Sequence, residues 1–239
     1  MPLPTISTPT YELILPSSNR KIKYRPFLVK EEKILILAME SQDTKQIARS
    51  VKDVISKCIL TKGIKVDRLS TFDIEYLFLN IRGKSVGEQI EVMVTCPDDE
   101  KTQVPMSINI DTIKVQKDEN HSTDIELDGV YTLRMKYPSL TEFIKNNFGA
   151  IDEMSVDDTF DLIASCIDQV YSEEESWASE ECTKKELTTF VESLNSSQFK
   201  KVEKFFETMP KLSHTVKVTN PNTNVESEIK IEGLQNFFG

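Results

Sequence analysis

The chain has 239 residues, of which 38% are hydrophobic and 28% are charged, a composition typical of a globular protein with a real core. The formal net charge is −10, with 39 acidic against 29 basic side chains. Proteins that bind nucleic acid or anionic membrane surfaces do so mainly through Lys and Arg. We therefore expect neither nucleic acid nor a membrane among the partners of this chain.

The first residues and the cysteines favour a cytoplasmic protein. Residues 1–5 have neither the basic nor the apolar region of a secretory signal. The longest apolar run, Ile34 to Met39, is far too short to cross a bilayer. The cysteines are scattered without a pairing rhythm, which favours reduced thiols. They are Cys58, Cys96, Cys166 and Cys182.

Residues 1–28 are predicted to form an extended N-terminal arm. Two short apolar runs, Tyr11 to Leu15 and Lys21 to Tyr24, are typical of strands, and Pro16 to Asn19 has turn chemistry. Such arms commonly add strands to the sheet of a neighbouring protein. We therefore expect this arm to contact a partner and to lie outside the core.

Residues 29–87 have a helical pattern. Asp43 with Gln46 resembles a capping box, and Ser70 with Asp73 opens a later helix. Between Phe72 and Ile81 that helix is apolar almost all round, and a helix of this kind is buried. It is expected to form the centre of the fold through Phe72, Tyr76, Leu77 and Leu79.

The rest of the chain alternates between β-hairpins and helices. Residues 88–136 and 211–239 have the period of strands, with Asp128-Gly129 as one hairpin turn. Residues 139–210 are predicted to be helical, with capping pairs Ser155/Asp158 and Thr183/Glu186, and one apolar stripe continues to Ile167 and Val170. We predict an α+β fold: one domain over residues 29–239, with a helical body and an antiparallel sheet of short hairpins, discontinuous in sequence.

Two hairpins share a short sequence pattern. Val92 to Pro97 resembles Val216 to Pro221, and each string is followed by a polar turn and an alternating Ile pair. Either Pro-containing turns simply look alike, or two related hairpins lie side by side in one sheet.

The turns resemble zinc knuckles but supply only one thiolate, Cys96, where a structural zinc site needs four ligands. We expect no bound metal.

The usual signatures of enzymes are incomplete. Gly83-Lys84-Ser85 resembles the end of a phosphate-binding loop, but Phe78 occupies the position of the first glycine. The chain has two histidines and neither a G-x-S-x-G nor an H-E-x-x-H motif. Carboxylates are abundant, so a hydrolase that uses a pair of them stays open as an alternative. We expect no enzyme activity and no cofactor.

The net charge is concentrated in one segment. Asp152 to Glu186 contains twelve acidic and two basic residues, a balance of −10, and includes the single tryptophan, Trp177. The segment is either a solvated face or a surface that docks or shields a basic partner. Trp177 would then be either the anchor of that contact or a side chain packed in the core.

Three strings resemble a known family. They run from Ile22 to Lys33 (IKYRPFLVKEEK), from Phe72 to Glu88 (FDIEYLFLNIRGKSVGE) and, more weakly, from Glu232 to Phe238 (EGLQNFF). Together they resemble the baseplate hub subunit and hub-assembly proteins of T-even-type contractile-tailed phages, over almost the whole chain. The resemblance implies a role in building the central hub on which the tail tube and sheath assemble. It implies no catalytic residues.

We therefore expect a phage baseplate hub assembly factor or hub component that acts by protein–protein binding. Its partners would be other phage baseplate hub proteins, with a homo-oligomer left open. Its location would be the host cytoplasm during assembly, with the virion tail baseplate as the alternative. The expected partner-binding residues are Tyr24, Arg25, Phe27, Glu173, Glu174, Glu175, Trp177, Glu180 and Glu181.

Overall fold

The computed structural model describes residues 7–41, 43–139 and 155–233. Over these residues the chain is α+β, as predicted. The helices are α1 (Val29–Glu40), α2 (Thr44–Cys58), α3 (Thr71–Val86), α4 (Val156–Ser165), α5 (Lys184–Ser193) and α6 (Ser196–Thr208). The strands are β1 (Tyr11–Ile14), β2 (Lys21–Tyr24), β3 (Gln89–Thr95), β4 (Gln103–Asn109), β5 (Lys114–Gln116), β6 (Asp124–Glu126), β7 (Thr132–Met135), β8 (Ile167–Tyr171), β9 (Ser176–Ala178), β10 (Lys211–Thr219) and β11 (Glu226–Glu232).

The chain divides into two compact units, where the sequence predicted a single domain. Unit 1 consists of Met1–Gln116, Ser139–Gly149 and Lys211–Gly239, and unit 2 of Lys117–Pro138 and Ala150–Pro210. Each unit has a hydrophobic cluster of its own, which is the physical reason for the division. Local periodicity does not show which helices and strands share a core, so this division was not visible in the sequence.

The N-terminal segment is part of the core of unit 1, which corrects the prediction of an external arm. β1 and β2 pair as an antiparallel hairpin, and Leu15, Ile22 and Tyr24 are almost fully buried. The backbone continues this contact beyond the hairpin, because Tyr24 bridges to Ile59 and the Arg25 amide donates to the Cys58 carbonyl at 2.9 Å. The strands therefore complete the protein's own fold rather than a neighbour's sheet.

Helix α3 lies at the centre of unit 1, as its apolar sequence predicted. Leu77 and Leu79 are fully buried in the hydrophobic cluster of unit 1, and Tyr76 is partly buried against that cluster. Phe72, in the first turn of the helix, is 2% exposed. A helix that is apolar on several faces buries those faces against several elements. Two acidic residues in its first turns, Asp73 and Glu75, are buried with them.

The predicted single sheet is replaced by several small antiparallel sheets. β5 does pair with β10 in a three-stranded sheet, in the order β11-β10-β5, so this sheet is discontinuous in sequence as expected. The β3–β4 hairpin forms a separate two-stranded sheet, however, and β6 and β7 belong to unit 2.

In the described residues of unit 2, three helices accompany a four-stranded sheet in the order β6-β7-β8-β9. The capping boxes predicted at Ser155/Asp158 and Thr183/Glu186 are both present. The helix α4 ends at Ser165, and Ile167 and Val170 lie on β8, where the sequence predicted one continuous helical stripe. β-branched residues fit a strand at least as well as a helix, and pairing of β8 with β7 decides between them.

Candidate partner-binding surface

The predicted glutamates of unit 2 lie on a hairpin and the short helical turn that follows it. The turn between β8 and β9 contains Glu173, Glu174 and Glu175, and the Ser172 hydroxyl accepts hydrogen bonds from two of their amides, at 3.3 and 3.1 Å. Glu180 and Glu181 lie in the 3-10 helix Ser179–Glu181. The five side chains, which we call the glutamate segment, are all exposed, and no basic side chain of the described residues pairs with them.

Trp177 is half exposed beside a second aromatic ring. It lies on β9, the edge strand of the sheet, opposite Val170 of β8. The rings of Trp177 and Tyr131 are 6.1 Å apart between centroids, and each residue is 40% exposed. Two large aromatic side chains that keep this much surface in water are typical of contact sites.

These rings border a cavity of about 410 Å³ that lies within unit 2. We call it the aromatic cavity. Much of its wall is apolar and is contributed by Leu127, Tyr131, Val170, Trp177, Leu187 and Phe190. Trp177 could be recognised from the sequence but the cavity could not, because its walls come from the β6–β7 turn, the sheet and two helices.

Two carboxylates at the aromatic cavity are held in their ionised form. The amides of Tyr131 and Val130 donate to the Asp128 carboxylate and lower its pKa. The Thr183 amide and hydroxyl donate to Glu186, and these hydrogen bonds lower the pKa of that carboxyl. Both residues line the aromatic cavity. Unit 2 as a whole contains twenty acidic and eight basic residues, a balance of −12, so its field is negative.

The predicted partner-binding residues of the N-terminal segment lie in unit 1. Tyr24 is 2% exposed, and burial raises its pKa to about 12. Arg25 forms two hydrogen bonds of 2.8 Å with Glu31, and the Phe27 amide donates to the Ser85 hydroxyl. Tyr24 therefore lacks the exposed position that partner binding would need. Arg25 and Phe27 are partly buried, and for these two residues partner contact stays a prediction.

The two similar hairpins have equivalent turns that contact one another. In each turn the fifth residue, Glu100 or Asn224, has positive φ and donates its amide to the carbonyl of the first, at 2.9 and 2.8 Å. The Asp98 carboxylate then accepts hydrogen bonds from Asn220 at 3.0 Å and from Thr223 at 2.5 Å. The hairpins are therefore related in structure, but they belong to separate sheets rather than to one.

A third turn of the same kind was missed by the sequence analysis. Asn19 has positive φ and donates its amide to the Leu15 carbonyl at 2.9 Å, with Pro16 in the position of the other two prolines. The buried Asp73 accepts from the amide and the hydroxyl of Ser17 in this turn. The sequence signal for this turn is a Pro followed three residues later by an Asn or Glu, between two strands. The pattern is too common to identify such a turn without the structure.

The carboxylates that the structure singles out hold turns and pairs together. Hydrogen bonds from Arg25 lower the pKa of Glu31, and hydrogen bonds from Asn220 lower the pKa of Asp98. The pKa of Asp99 falls well below its usual range because Thr102 donates to it.

In the described ranges no set of three His, Cys, Asp or Glu side chains is grouped as metal ligands would be. Over those ranges, too, every helix is too short or too polar to span a membrane.

A family model described as T4 bacteriophage base plate protein matches residues 8–239. The chain belongs to this family. The match runs through both units, so each is part of what the family shares. No curated protein and no solved structure matches the chain. Membership of this family implies a role at the baseplate of the virion tail and interaction with other baseplate proteins.

Proposed function

We propose that this baseplate protein is a hub assembly factor or a hub component that acts by binding other hub proteins and has no enzyme activity. The observation that carries the proposal is the surface of unit 2, where exposed aromatic side chains border an apolar cavity beside five exposed glutamates. The resemblance of the strings Ile22–Lys33 and Phe72–Glu88 to hub proteins supports the choice of the hub within the baseplate.

The carboxylates support a binding protein over the alternative hydrolase. A general acid needs a carboxyl group whose pKa is raised so that it keeps its proton near neutral pH. The carboxyl groups of Glu12, Glu31, Asp98, Asp99, Asp128 and Glu186 are shifted the other way, because hydrogen bonds to the ionised form lower the pKa of each. Ionised, hydrogen-bonded carboxylates of this kind stabilise folds and attract basic partners.

The experiment is a deletion of the gene in the phage, complemented from a plasmid in the host. Without the chain we expect infected cells to contain no complete baseplates and no contractile tails by electron microscopy, while heads form normally. The parent gene on the plasmid should restore both structures. Normal tails in the deletion phage would contradict the proposed function.

Mass spectrometry of purified particles separates the two forms of the proposal. A hub component is present in every particle at a fixed ratio to the other baseplate proteins. An assembly factor is present in assembly intermediates isolated from infected cells and absent from the finished particles. Both forms would be excluded if the deletion phage lacks tails but the chain is found in no baseplate complex, either during assembly or in the finished particle.

A further inference from the structure

The aromatic cavity has the size and lining of a binding site for apolar side chains. Its volume of about 410 Å³ lies in the range of pockets that hold small ligands or the anchor side chains of a partner. Trp177 and Tyr131 stand at its border with 40% of their surface exposed, and Val130 beside Tyr131 is 61% exposed. Burying such surface against an apolar side chain is favourable because it removes apolar area from water.

The charges around the aromatic cavity restrict what can enter it. Asp128 and Glu186 line the cavity as ionised carboxylates, and Glu180 and Glu181 lie between two of its lining residues, Trp177 and Cys182. An acidic or phosphorylated partner would be repelled by them, whereas Lys and Arg side chains would be attracted. Lys201, whose charge helps to lower the pKa of Asp128, already donates to the Glu126 carbonyl at 2.8 Å.

We propose that the aromatic cavity binds a basic segment of another baseplate protein, with an apolar side chain of that segment in the cavity. Lys or Arg residues on either side of this anchor meet Glu180, Glu181, Asp128 and Glu186. The inference rests on the proposed function and adds to it the site and the chemistry of the partner. The anchor supplies most of the affinity, and the charges supply orientation and a fast encounter.

The direct test is a titration of the full chain with three fluorescein-labelled peptides, followed by anisotropy. The peptides are KKLFKK, EELFEE and KKSSKK, each with fluorescein on its N-terminal amine and an amidated C-terminus. The proposal predicts saturable binding of KKLFKK and binding at least about tenfold weaker for the other two. Trp177 is the only tryptophan, so its emission should shift with the same concentration dependence. No saturable binding of KKLFKK up to about 1 mM, or equal binding of EELFEE, overturns the proposal.

A variant that fills the aromatic cavity with a large side chain, compared with the same substitution outside the cavity, tests whether the peptide binds there. Ser193 lines the cavity and is exposed, and its hydroxyl donates to the Phe190 carbonyl three residues earlier at 2.7 Å. Ser165 is also exposed and bonds the Leu162 carbonyl in the same way at 2.8 Å, but it lies outside the cavity. Ser193→Phe should weaken KKLFKK binding at least about tenfold, and Ser165→Phe should leave it unchanged. Equal effects of the two variants contradict the cavity.

Two double variants test the charges without changing the cavity. Glu180→Gln with Glu181→Gln should weaken KKLFKK binding about threefold or more at low salt, and high salt should remove the difference. The control is Glu203→Gln with Glu207→Gln, which removes the same charge from exposed positions of α6 that do not line the cavity. If the control weakens binding equally, only the overall charge of unit 2 matters, and the proposed site is wrong.

Complementation separates this inference from the proposed function. Ser193→Phe should restore fewer baseplates to the deletion phage than Ser165→Phe, with both proteins folded by circular dichroism. If the two variants complement equally well while the deletion itself abolishes tails, the proposed function stands and the docking site is wrong. If the deletion has no effect on tails, the proposed function fails first.

Discussion

The ion pair between Arg25 and Glu31 allows the strongest prediction about stability. Glu31 is 1% exposed and Arg25 is 17% exposed by their side chains, and the two hydrogen bonds between them are both 2.8 Å long. The Leu28 amide also donates to Glu31 at 2.8 Å. Arg25→Ala leaves a buried carboxylate with its cation removed, and this should cost about 3–5 kcal/mol of the free energy of unfolding at neutral pH.

The pH dependence of that cost has a definite sign. In the parent protein the Arg25 hydrogen bonds lower the pKa of Glu31, so this carboxyl contributes stability above its unfolded pKa and loses it as pH falls. Arg25→Ala removes the largest cause that lowers the pKa of Glu31, while burial still raises it against the remaining Leu28 hydrogen bond. The pKa of Glu31 is therefore higher in the variant than in the parent, and the variant loses less stability as pH falls. The difference in stability between parent and variant should therefore shrink from neutral pH toward about pH 4.

Urea unfolding followed by far-UV circular dichroism measures these differences. Arg49→Ala, at an exposed position of α2, is the control and should change the free energy of unfolding by under about 0.5 kcal/mol. Arg25→Met with Glu31→Leu should recover most of the loss, because two apolar side chains leave no buried charge. A cost under about 1 kcal/mol for Arg25→Ala, or one that grows on acidification, would refute the reasoning.

Four further predictions concern the two cores and the turns. Leu77→Ala, at a fully buried position of α3, should cost about 2–5 kcal/mol in urea unfolding, and under about 1 kcal/mol would contradict its central place. Deleting residues 1–28 should unfold unit 1, as seen by loss of circular dichroism. A stable truncated protein would instead support the interpretation of these residues as an external arm. Asp98→Ala should lower the urea midpoint more than Asp98→Asn does, because the buried Asn220 amide loses its acceptor. Burial lowers the pKa of His121 below 6.5, so this residue contributes stability above pH 6.5 that is lost as pH falls through its folded pKa; an NMR titration giving a pKa above 6.5 would reverse that sign.

Local signals in the sequence predicted local structure well. The capping boxes at Ser155 and Thr183 are both formed, because a side chain three residues away decides them. The Asp128-Gly129 turn joins β6 and β7, with Gly129 at a φ of 82° that favours glycine. The apolar stretch of α3 correctly predicted a buried helix, because a helix that is apolar on nearly all sides is not stable in contact with water.

Long-range pairing decided the features that the sequence analysis missed. Residues 7–28 have the composition of an arm, but the bridge from Tyr24 to Ile59 fixes them in the core. Ile167 and Val170 fit a helical stripe, yet β7 pairs with them as a strand. The aromatic cavity needs four separate segments of unit 2, and only Trp177 among its lining residues stood out by its chemistry. Contacts of this kind depend on tertiary packing, which overrides local propensity.

The most direct test of the central claim is crosslinking mass spectrometry of infected cells that express a tagged, functional copy of the chain. The account predicts crosslinks to other baseplate proteins, with lysines of the partner joined to Glu180, Glu181 or the nearby glutamates by a carboxyl-to-amine reagent. Ser193→Phe should reduce these crosslinks and Ser165→Phe should not. A chain that sediments alone, without crosslinks to any baseplate protein during tail assembly, would contradict the account.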